Sequence, residues 1–270
     1  MKRLELAVGL VLVATVVAMA LVSYVWTPFN PTQVLSATPL QRPGWPHVLG
    51  TDAMGIDIFS RILVGARSAL SVGVIAVGLA ALVGVPAGIA TAQLPRGPAE
   101  VVLRATDIAY AFPALLLALL LASVLGGSTE TAMLAIGIAS VPLFLRVTRA
   151  GALSVLASDY VLAARSCGTT RFGITVRHVL PNVAGLVGVQ ASVTFALAIL
   201  AEAALSYLGL GTPPTVPSWG RMLFDAQAQL FSDPLQAAWP GLAIAVAVLG
   251  FNLVGDGLRD FLDPRLRELA

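Results

Sequence analysis

The chain has 270 residues, of which 57% are hydrophobic and 11% charged, and its formal net charge is +2. A soluble domain of this size carries about a quarter of its residues as charged side chains, so this composition excludes an ordinary water-soluble fold and calls for lipid as solvent. The basic residues lie scattered between apolar runs, which argues against nucleic-acid recognition, and the single cysteine, Cys167, excludes an internal disulfide and a cysteine-rich metal site.

In chain order, Lys2 and Arg3 precede an uncharged run over 6–26. It is too long for the apolar part of a signal peptide and reads as a retained first transmembrane helix. Residues 27–69 open with Pro28, Pro31, Pro43 and Pro46 and then place Met54, Ile58, Ile62, Leu63 and Ala66 on one helical face. That pattern predicts an interfacial amphipathic helix leading into a second span. Further spans are predicted over 70–92, 108–125, 131–145, 186–208 and 241–258, each near the length that crosses about 30 Å of hydrocarbon. Pro113 and Pro142 are expected to start or bend the third and fourth. The Phe112-Pro113 pair is thereby a candidate gate.

In the fifth span Glu202 interrupts the apolar run near one end. A carboxylate at mid-membrane costs roughly 2.5–3.5 kcal/mol on insertion scales, so it must face protein or a water-filled cavity. It is either part of a translocation path or a helix-end carboxylate paired with a neighbouring loop. Gly209 and Gly211 are expected to stop that helix, and Asp256, near Asn252, Arg259 and Asp260, to anchor the end of the sixth. Between the spans, 146–185 carries five arginines, and 209–240 is rich in proline with Trp219 and Trp239, suggesting an ordered cap with its tryptophans near the membrane interface. Lys2, Arg3, Arg96, Arg104, Arg146, Arg149, Arg165, Arg171, Arg177, Arg259, Arg265 and Arg267 fall on one side of this topology. Arg42, Arg61, Arg67 and Arg221 fall on the other. Twelve against four, of 16 in all, predicts a multi-pass protein with both termini cytoplasmic.

Lys2 is the only lysine, so no Walker A loop can exist in this chain and any ATP-driven work must come from a partner. No HExxH or GxSxG motif occurs, and His47 and His178 lie on opposite sides of the predicted membrane. A chain that performs its own chemistry, or holds a metal or cofactor, has no support. A secondary transporter driven by H⁺ or Na⁺ would need acidic residues near the bilayer midplane, and Glu202, its one candidate, lies off-centre. The patterned arginine segment argues against a purely structural scaffold.

Residues 159–168, DYVLAARSCG, followed by Arg177-His-Val-Leu-Pro-Asn182, resemble the EAA loop of binding-protein-dependent ABC importers. Leu162 stands where that loop has glutamate, while Ala163, Ala164 and Gly168 keep its spacing. Residues 47–61, HVLGTDAMGIDIFSR, resemble the HxLGTDxxGRDxxSR signature of the dipeptide, oligopeptide and nickel permeases, C-type subunit (DppC/OppC-like), with Ile56 in place of its arginine. The stretches EAALSYLGLG (202–211), PSWG (217–220), FNLVGDGLRD (251–260) and LDPR (262–265) match the same subunit type.

The resemblance implies an all-α transmembrane, six-helix type I ABC importer (MetI-like) permease fold in the bacterial inner membrane. Residues 1–69 would hold the first helix and an external segment, and 70–270 a five-helix core with the coupling loop at 159–182. It also implies a second homologous permease subunit, two ATP-binding subunits and an external solute-binding protein. ATPase coupling falls to Leu162, Ala163, Ala164, Arg165, Gly168, Arg171, Leu180 and Pro181. The implied cargo is a small peptide, a nickel complex or haem.

Overall fold

The computed structural model describes residues 2–262, which form helices and connecting loops without a sheet. Asp263, Pro264, Arg265 and Arg267, which entered the motif and charge arguments, lie outside the described residues. The helices are α1 (Lys2–Val25), α2 (Ile58–Gln93), α3 (Arg96–Ala111), α4 (Ala114–Leu125), α5 (Thr129–Leu156), α6 (Asp159–Ser166), α7 (Arg171–Ile174), α8 (Leu180–Tyr207), α9 (Trp219–Ala226) and α10 (Leu235–Leu262). Among them are five helical stretches long and apolar enough to cross a membrane, or six if the bent α3–α4 pair is one span.

Two expectations change, and the bend expected at Pro113 is met. The amphipathic stretch and the second span are one 36-residue helix, α2, so the division drawn at 69/70 falls inside a helix. The third span is broken at Phe112-Pro113, where α3 and α4 meet at 80°, because proline offers no amide hydrogen and clashes with the carbonyl four residues back. Pro142, by contrast, sits inside an uninterrupted α5 that continues well past residue 145, through Arg146 and Arg149.

Helix α2 and helix α5 form the central pair. Gly84 and Gly88 bring the α2 backbone so close to Phe144 and Leu145 of α5 that a Cβ at either position would collide with them. Small residues of this kind let helices pack tightly in lipid, where apolar burial itself gives little drive. Helix α8 lies across both, and α1 and α10 pair beside it. Phe195 of α8 fills the space left by Gly73 of α2 and stacks on Phe251 of α10 at 4.0 Å between ring centroids.

The bundle has two distinct ends. One carries residues 26–57 and 208–234 and is called the loop end; the other carries α6 and α7 and is called the arginine end. At the loop end Trp219 is 1% exposed, donates Nε1–H to the Ile62 carbonyl and packs against Gly65. It is a core anchor of the cap and not the interface residue its composition suggested.

Candidate functional site

At the arginine end, α6 is a one-sided platform. Val161 is fully buried among Ile89, Ala152, Ile174, Val179 and Val183, which come from α2, α5, α7, the turn after it and the start of α8. Leu162 is 48% exposed, and Ala163 and Arg165 also face outward, so the face opposite Val161 is apolar at its centre and basic at its edge. Gly168 ends the helix at φ +82°. Its N–H donates to the Arg165 carbonyl (2.9 Å) and the Thr169 N–H to the Ala164 carbonyl (3.0 Å), the paired bonds of a Schellman cap. A left-handed residue is required there, and glycine adopts it without strain.

After the turn, Thr170 caps α7 through its side chain, which accepts from the Gly173 N–H. A π-helical turn then spans Thr175–Val179. Pro181 explains it: the proline cannot donate to the Arg177 carbonyl, and the wider turn lets the Leu180 N–H reach Thr175 instead. Leu180 and Pro181 therefore do not end a helix; a continuous helical stretch runs from Arg171 to Tyr207. The Gln93 side chain donates to Thr175 Oγ1 (2.7 Å), tying the end of α2 to this segment. Leu180, Pro181, Arg171 and Phe172 are exposed, Phe172 at 77%. Sequence reasoning passed over Phe172; an aromatic beside Arg171 in an arginine-rich segment was the available signal.

Glu202 lies far from this surface, near the loop end of α8, and is 2% exposed. Ser206 Oγ (2.7 Å) and Thr212 Oγ1 (3.0 Å) donate to its Oε1, and the Thr212 N–H donates back to Ser206 Oγ (2.9 Å). Thr129, on the first turn of α5, reaches Thr212 Oγ1 at 3.3 Å. The carboxyl group thus joins the end of α8 to the loop that follows it and to α5. Ser206, one turn on from Glu202, was the legible member of this cluster.

The 47–61 motif forms a second buried cluster at the loop end. Asp57 caps α2, accepting from the Ser60 N–H (2.8 Å) and Oγ–H (2.7 Å), while its other oxygen lies 2.9 Å from His47 Nδ1. Asp52 Oδ1 accepts from the Met54 and Ile56 N–H groups, and Arg61 bridges Asp52 and Asp225. Arg221 Nε also lies 3.0 Å from Asp225, though its alignment is poor for a hydrogen bond. Gln236 of α10 donates to the Thr51 carbonyl. The cluster clamps 27–57 to α2, α9 and α10; Ile56, with no charge to offer, is buried within it at 6% exposure. Asp225 and Gln236 come from distant sequence and could not be read from the motif.

Phe112 and Pro113 sit at the α3–α4 bend, with Phe112 57% exposed. Among the described residues no hydrogen bond or ion pair joins them to Glu202 or to α6. The sequence-predicted site residues therefore fall into three separate places: the platform, the bend and the loop-end network.

Residues 84–268 match the family described as "Binding-protein-dependent transport system inner membrane component". The dipeptide transport system permease protein DppC of Alkalihalophilus pseudofirmus is 38% identical over 99% of this chain and 88% of its own length. The glutathione transport system permease protein GsiD of Pectobacterium atrosepticum is 37% identical over 84% of this chain and 76% of its own. In three dimensions, a chain of the inward-facing MetNI methionine ABC transporter superposes with a TM-score of 0.63 at 14% identity, covering 75% of this chain and 96% of that one. The chain belongs to the family of binding-protein-dependent transport system inner membrane components, is a multi-pass ABC importer permease, and has the type I permease fold.

Proposed function

We propose that this chain forms half of the pathway by which an ABC importer moves short peptides inward across a bacterial plasma membrane. Relatives named for dipeptide and glutathione transport support a cargo with a peptide backbone. A second homologous permease subunit completes the pathway, two ATP-binding subunits sit at the arginine end, and a solute-binding protein docks at the loop end. The excess of Lys and Arg at the arginine end supports placing that end, and both termini, in the cytoplasm.

The observation that carries this reading is the α6 platform. One face is locked by Val161 into a core shared with α2, α5 and α8, the other presents Leu162, Ala163 and Arg165 to solvent, and the neighbouring α7 adds the exposed Phe172. A partner that pushes on such a surface moves three spanning helices together, because the platform has no slack of its own. The coupling residues are Leu162, Ala163, Ala164, Arg165, Gly168, Arg171, Leu180 and Pro181, joined by Phe172 as the aromatic anchor. Phe112-Pro113 serves as the bend at which α3 and α4 adjust during switching. The hydroxyl cage around Glu202 supports an anchoring role for that residue, not a pore-lining one.

The test is co-purification. Phe172→Ala should leave the chain in the membrane but cost at least about 2 kcal/mol of ATP-binding-subunit affinity, the scale of an interface hot spot. Undiminished recovery of those subunits with Phe172→Ala would remove Phe172 from the contact.

A further inference from the structure

A cleft of about 660 Å³ opens at the arginine end between the start of α3 and the last turns of α2 and α5. Its walls include Thr91, Leu94, Arg96, Arg104, Arg149 and Leu153, together with the acidic Glu100 and Asp107. The two carboxylates are already engaged: Glu100 pairs with Arg104 at 3.4 Å, and Asp107 with Arg146. Arg96 and Arg149 are left without a carboxylate partner among the described residues. Arg149 also keeps its Nε–H buried with no acceptor among those residues. The cleft thus holds two uncompensated guanidinium groups.

Depth and apolarity narrow the ligand. No charged residue lies between Arg67 and Arg96 or between Glu130 and Arg146, so Arg96 and Arg149 stand just beyond the apolar stretches of α2 and α5. That is the level at which a bilayer carries its phosphates. Leu94 and Leu153, exposed at 42% and 40%, give the cleft an apolar wall, and Val101 and Ile108 continue an exposed apolar face along α3. A free anion has no use for those surfaces. A lipid with an anionic headgroup uses both.

We propose that this cleft binds the phosphodiester headgroup of an anionic phospholipid, with Arg96 and Arg149 as its phosphate ligands. Guanidinium groups suit this role because their forked donors match phosphate oxygens. Helix α3 adds a smaller attraction, since Pro95 leaves its first turn without a side-chain cap. The lipid would wedge α3 against the last turns of α2 and α5, beside the platform of α6.

Native mass spectrometry of the full chain in detergent, supplemented with dioleoyl phosphatidylglycerol or dioleoyl phosphatidylcholine, tests this. The unaltered chain should retain phosphatidylglycerol in preference to phosphatidylcholine. Arg96→Gln and Arg149→Gln should each lower phosphatidylglycerol retention roughly fivefold, the effect of one basic residue near an anionic surface. Arg259→Gln, an exposed arginine on α10 outside the cleft, should leave retention unchanged. A preference that survives in the Arg96→Gln, Arg149→Gln double variant overturns the proposal, as does equal retention of the two lipids by the unaltered chain. Displacement of the lipid by equimolar inorganic phosphate would assign the cleft to a free anion and also overturn it. If Arg149→Gln impairs folding, Arg96→Gln, on the exposed start of α3, decides the matter alone.

Discussion

Arg61 is 5% exposed and holds Asp52 and Asp225 together. Truncating it would leave the mostly buried Asp52 carboxylate without its cation, while Asp225 keeps Arg221 at 3.0 Å, and breaking a buried pair from one side typically costs about 3–5 kcal/mol. Arg61→Ala should therefore lower the thermal unfolding midpoint of the detergent-purified chain sharply, and an unaltered midpoint would contradict the clamp. Glu202 answers a different question. Glu202→Leu removes the acceptor of the Ser206 and Thr212 hydroxyls and should destabilise by about 1–3 kcal/mol per stranded group, whereas Glu202→Gln keeps an acceptor and should cost less. Should Glu202→Gln retain its unfolding midpoint yet abolish uptake, the residue belongs to the path and not to the anchor. The HVLGTD motif was visible in the sequence, but not what it grips. Its partners Asp225 and Gln236 lie more than a hundred and fifty residues away, and no local pattern announces such a pairing.

The elements were legible in proportion to how far local chemistry decides them. Apolar length located the spans, and Gly168 announced the turn after α6, which the structure realises at φ +82°. The fusion of the amphipathic stretch and the second span into one α2, and the extension of α5 past residue 145, were hidden, because a helix that continues beyond the hydrocarbon does so through tertiary packing and not through an apolar run. Pro113 bends its span as its sequence position suggested, but the fate of Pro142 was hidden: α5 runs through it uninterrupted, and neighbouring helices decide which freed carbonyl is tolerated. At Gly168 the two possible roles of glycine are separable, since a Cβ there meets nothing within 4 Å in this chain. Gly168→Asn preserves access to the left-handed conformation with modest bulk; Gly168→Leu combines strain with volume. If the platform packs in an ATPase groove, stimulated ATP hydrolysis should fall by about 1–3 kcal/mol of coupling in Gly168→Leu and less in Gly168→Asn. Equal losses in both would make backbone conformation irrelevant, and no loss in either would mean that the platform is not the coupling element.

At the scale of the molecule, the two ends are connected by continuous helix. The helical stretch from Arg171 to Tyr207 has 37 residues, about 55 Å at 1.5 Å per residue, and links the platform to the Glu202 network. The loop-end clamp ties 27–57 to α2, α9 and α10, and the α6 core ties α2, α5 and α8 together. On the proposed function, a push at one end would reach the other by rotation of packed helices, a recognised repertoire for switching. The most direct test is peptide uptake into proteoliposomes holding this chain with its second permease and ATP-binding subunits, with peptide-loaded binding protein outside. The account predicts uptake that requires ATP inside and stops when the ATP-binding subunits are omitted. Uptake driven by a proton or sodium gradient without ATP would contradict it.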